Sequence, residues 1–148
     1  MPIKYQIDHR RRLVITRGHG VLTERDLLEY QNEVWSRPEV AGFDELIDMS
    51  SVGEFVEPTA ERVRELASVS ASMDAEVGGG KLAIVAPQDI AYGLGRMYQV
   101  YRGMDIETTK QVAVFRTRAA ALEFLGLEGQ LLDWDNPIDN ADQGPGSA

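Results

Sequence analysis

Cysteine is absent from the 148 residues, which excludes a disulfide framework, a zinc–thiolate site and a cysteine nucleophile. Histidine is scarce: His9 and His19 stand alone, without HxxxH or HExxH spacing, so no transition-metal site and no cofactor are expected. No stretch approaches the roughly eighteen consecutive apolar residues that a membrane-spanning helix needs, so membrane insertion is not expected. The first twenty residues carry Lys4, Arg10, Arg11, Arg12 and Arg17 and no apolar core, so a signal peptide is not expected and a cytoplasmic location is. Bases are outnumbered, 15 against 24 acids, for a net charge of −9. Such a body is repelled by phosphate backbones and anionic lipid, which makes nucleic acid and membrane surfaces poor partners. The one basic cluster, Arg10-Arg11-Arg12, reads as a solvated hairpin tip that discourages edge pairing, or else as a contact for an anion or an acidic partner. GxSxG, GxGxxG and GxxxxGK[ST] are missing too, so neither a nucleophile elbow nor a phosphate-cradling loop is written here, and an enzyme is not expected.

What is present is enough apolar material, 43% of residues, for one core of ordinary size. Ile3, Tyr5 and Ile7 alternate with polar residues as a half-buried strand does, and Asp8–Arg11 turns the chain into a second strand, Leu13–Arg17, closed by Gly18-His19-Gly20. Thr23 with Asp26 three residues on is a capping box, opening a helix whose stripe is Leu27, Tyr30, Gln31, Val34 and Trp35 and which Pro38 closes. Glu45–Met49 reads as a third strand before a Ser50–Gly53 loop. Pro58 suits the first turn of a second helix with Val63, Leu66, Ala67, Ser70 and Met73 inward. Gly78–Gly80 stops that helix, Leu82–Ala86 is a strand covered on both faces, and Asp89 caps a third helix with Ile90, Leu94, Met97, Tyr98 and Tyr101 inward. Gln111–Phe115 is the last strand, and Thr117 caps a fourth helix. From Asp133 the composition of acid, Asn, Gly, Pro and Ser predicts a flexible acidic tail, residues 133–148, behind a domain of residues 1–132.

The order β-β-α-β-α-β-α-β-α predicts a single α/β domain with a five-stranded mixed, mostly parallel sheet and right-handed crossovers. With strands in chain order the helices gather on one face. The other face, with residues such as Ala83 or Val85, then needs a cover, and a homodimer or a bound partner is expected to supply it.

This order, with Asp48-Met49-Ser50-Ser51-Val52 running off the third strand, resembles the STAS domains, which include the bacterial anti-sigma-factor antagonists. Lys81–Leu127, with Ala91-Tyr92-Gly93-Leu94-Gly95-Arg96-Met97-Tyr98, is similar to an uncharacterised bacterial branch related to the sporulation antagonist. The resemblance implies a right-handed βα superhelix and a non-enzymatic regulatory module that binds a protein partner. In its phosphoswitch members a segment like Asp48–Val52 leads to a phosphorylated Ser-Ser-Gly at the start of the second helix. Here that place reads Glu54-Phe55-Val56-Glu57-Pro58-Thr59, so the switch is degenerate. Ser50, Ser51 and Thr59 are the nearest hydroxyls and the candidate phosphoacceptors. Glu57 is read either as a helix cap or as a fixed mimic of the phosphate.

A second reading is a small-molecule binding domain for a nucleotide or an apolar ligand, with Arg96, Tyr98 and Tyr101 on the third helix and the Gly18–Gly20 loop around a pocket. The glycines at 93 and 95 are then either a ligand cleft or a close approach to a neighbouring element. A third reading is a small acid–base enzyme centred on His19, which lies where α/β sheets meet ligands.

Overall fold

The computed structural model describes residues 2–56, 58–75 and 79–129; Glu57 and the segment expected to form the tail lie outside them. Among the described residues the order is β1 (Ile3–Asp8), β2 (Leu13–Leu22), α1 (Glu24–Val34), β3 (Asp44–Phe55), α2 (Ala60–Ser72), β4 (Lys81–Val85), α3 (Asp89–Met104), β5 (Gln111–Phe115) and α4 (Arg118–Phe124). A short 3-10 turn, Pro38–Val40, follows α1. The strands lie side by side in chain order. β1 runs antiparallel to β2, and each later pair is parallel. The expected mixed α/β sheet is therefore what the chain builds.

Three helices start on a threonine. Thr23 accepts from the backbone N–H of Asp26, whose carboxylate accepts in return from the Thr23 N–H, closing the capping box. Thr59 and Thr117 accept from the N–H groups of Arg62 and Ala120. Thr59 is thus the cap of α2, which puts Pro58 before the cap and not in the first turn, and Gln88, not Asp89, stands at the cap position of α3.

Two segments read as loops are strand. β2 continues through Gly18-His19-Gly20 because the glycines bend it without ending it, with register shifts between Arg17 and His19 and between Gly20 and Val21. Gly18 lies so close to β3 that a Cβ there would sit 2.9 Å from Val52 Cγ2. Beside it β3 runs on through Ser50–Gly53 to Phe55, pairing Leu22 with Phe55.

The helices do not all share a face. α1, α2 and α3 cover the side of the sheet that carries Ile47, Met49, Leu82 and Ile84. α4 covers the other, packing Ala121 and Leu125 on Leu13, Ile15, Leu46, Ala83 and Val85. The handedness rule governs helices that link parallel strands, and among the described residues α4 is followed by no further strand. It settles where apolar surface is still open, so the face expected to need a partner is covered by the chain itself.

Candidate functional site

Between α1, α2, α3 and the sheet lies a cavity of about 120 Å³, partly open to solvent. Its walls are apolar: Leu27 from α1, Met49 and Phe55 from β3, Val63 and Leu66 from α2, and Leu94 from α3. The extensions of β2 and β3 past the glycine bends bring Leu22, Phe55 and Val56 to the mouth. Gly95 keeps the α3 wall close to the sheet, since a Cβ there would lie 2.9 Å from Val114 Cγ1. Of the two accounts of these glycines, close approach holds for Gly95, while a Cβ on Gly93 would meet open space.

Polar groups gather at one end, in two buried networks. In the first, Glu45 accepts from the Tyr30 hydroxyl (2.7 Å), the Trp35 indole N–H (3.1 Å) and Lys110 Nζ (3.2 Å), and Tyr30 in turn accepts from Thr16 Oγ1 and from Trp35. Lys110 Nζ also stands 3.4 Å from the centre of the Trp35 ring. Burial, and then the Glu45 charge, push the Tyr30 phenol well above its ordinary range. In the second, Arg102 Nη2 donates to Asp74 (2.5 Å) and Arg102 Nη1 to the Tyr98 hydroxyl (2.8 Å). Burial raises Tyr98 against the opposing pull of Arg102. Burial works against the Arg102 charge, but Tyr98 and Asp74 outweigh it and hold the guanidinium above its usual range. The Ser70 hydroxyl, lining the cavity, is buried with no hydrogen-bond partner other than the Tyr98 hydroxyl beside it.

At the mouth Arg62 on α2 reaches Glu24 on α1 at 3.3 Å. Burial, and then the charge and hydrogen bond of the neighbouring Glu65, raise the Glu24 carboxyl. Two acids therefore face one base at the rim.

Of the residues expected to matter, Tyr98 lines this cavity; Tyr101 is half-buried and Arg96 exposed, and neither lines it. His19 sits in β2 opposite Ser51, away from the lining, so the pocket expected to join α3 to the Gly18–Gly20 segment is built from α3 without it. Ser50 donates to the buried Asp48 carboxylate, which Arg118 also holds at 3.0 Å. Ser51 and Thr59 are exposed. Glu57 lies outside the described residues. Ile90, expected inward, is 54% exposed because Ala91 and Gly95 are the positions α3 turns to the sheet. Glu45, Asp74, Arg102 and Lys110 carry no signal in the sequence, since their spacing gives none: Lys110 and Glu45 are 65 positions apart. Among the described residues no three His, Cys, Asp or Glu side chains gather as a metal site requires, and no helix is long and apolar enough to cross a membrane.

No family profile and no curated protein matches the sequence. A solved structure from Shewanella loihica PV-4, described as an uncharacterized protein from the DUF3478 family with a SpoIIAA-like fold, superposes with a TM-score of 0.53 at 14% identity. The match covers 83% of this chain and 93% of that one. The chain thus has a SpoIIAA-like α/β fold, as the resemblance implied.

Proposed function

We propose that this chain is a non-enzymatic STAS-type binding module whose ligand is a small, mainly apolar molecule held between the three helices and the sheet. One observation carries the reading: a cavity of about 120 Å³ with apolar walls and a few convergent polar groups, the usual anatomy of a ligand site. An engineered apolar cavity of about 150 Å³ takes up benzene, so the space suits a single ring or a short branched chain. The ionised groups at the polar end are spent on one another, Glu45 with Lys110 and Asp74 with Arg102, which supports binding over proton transfer.

The test is thermal unfolding against a panel of small neutral aromatic and branched aliphatic compounds. A ligand at a hundredfold excess over its Kd stabilises by about 2.7 kcal/mol, a readily measured rise in Tm. Leu94→Trp, which fills the cavity from the α3 wall, is expected to remove the rise. A panel without any shift sinks the reading.

A further inference from the structure

The polar end of the cavity has a hydroxyl donor to spare. The Glu45 oxygens already take three donors, and the Tyr30 hydroxyl accepts twice and donates once. Tyr98 differs: its oxygen accepts from Arg102, and its own proton is still to be placed. Ser70, the hydroxyl beside it, is 1% exposed and has no hydrogen-bond partner apart from Tyr98. Whichever of the two hydroxyls turns to the other, one O–H remains unspent on the protein. The Gln31 amide, also on the wall, has only the Met73 sulfur at 3.7 Å. Buried donors left in this state are costly, and a ligand acceptor relieves them.

Charge narrows the class. Arg102 and Lys110 each have a buried carboxylate of their own, so no cation is free to receive an anion. The rim adds Glu24 and Glu65 against Arg62. A carboxylate inside would be a buried charge without a counter-ion. Resting on the cavity reading above, we infer that the ligand is an uncharged molecule with a compact apolar body and a carbonyl-type acceptor, seated with the acceptor against Tyr98 and Ser70. Arg102 is a positioning residue, polarising the Tyr98 O–H from behind.

The experiment uses the full chain and three probes of matched size: acetophenone, cumene and benzoate, with Kd values from calorimetric or NMR titration. Acetophenone is expected to bind at least about tenfold tighter than cumene, the worth of one satisfied buried hydrogen bond, and benzoate weakest of the three. In Tyr98→Phe combined with Ser70→Ala the acetophenone affinity falls to that of cumene, whose own binding is unchanged and certifies the fold. If the double variant no longer holds cumene, Tyr98→Phe alone is read, with an expected loss of about threefold or more in the preference. Cumene or benzoate matching acetophenone in the wild type, or a preference untouched by the variants, overturns the acceptor assignment while the cavity reading stands. Failure of both acetophenone and cumene to bind takes the cavity reading down with it.

Discussion

Glu45 receives hydrogen bonds from a phenol, an indole and an ammonium while itself almost fully buried. Removing its charge strands Lys110, so Glu45→Gln is expected to cost about 3–5 kcal/mol in urea unfolding, whereas Tyr30→Phe costs about 1–3. The phenols also set a pH limit. Tyr30 and Tyr98 titrate above the ordinary value of 10.0 when folded. Above about pH 10 the unfolded chain therefore releases tyrosine protons that the native state retains, so the stability present at lower pH is lost as pH rises. The urea midpoint should fall from pH 9.5 to 11, and Tyr30→Phe should flatten that slope. Tyr30 was legible as part of a helical stripe; the charges beneath it were not, because a buried ion pair is made by the fold from positions whose local patterns say only that they are polar.

α3 offers a comparison within one element. Gly93 and Gly95 lie two positions apart, and one faces open space while the other presses on Val114. Gly93→Ala should stabilise by up to about 1 kcal/mol through helix propensity, and Gly95→Ala should destabilise by about 1–3 through overpacking; paired urea titrations decide both. Elements with local chemistry at their ends were readable: the Thr23–Asp26 box, the Thr117 cap and the apolar run of β5 all stand where the pattern puts them. β2 and β3 were cut short because Gly18, Gly20 and Gly53 resemble terminators. Only the pairing of the two strands, a long-range fact, shows that Gly18 is there to let them touch.

At the scale of the whole molecule, crossover handedness made the three-helix face predictable, and the exemption of α4 from that rule hid the other. Ala121→Glu should lift α4 and uncover Leu13, Leu46 and Val85, giving concentration-dependent association in sedimentation velocity where the parent chain under the same conditions shows less. The two-faced arrangement leaves each side with its own electrostatics, Asp48 with Arg118 on the α4 side and the Glu45 network on the cavity side. Trp35 gives the second side an optical gauge. Its indole donates to both Tyr30 and Glu45 beside the cavity, and the sequence has one other tryptophan, Trp134. In a Trp134→Phe background, excited at the red edge of absorption where tyrosine does not absorb, the emission reports from that spot, so occupancy can be followed by the colour and intensity of the native fluorescence, without a label.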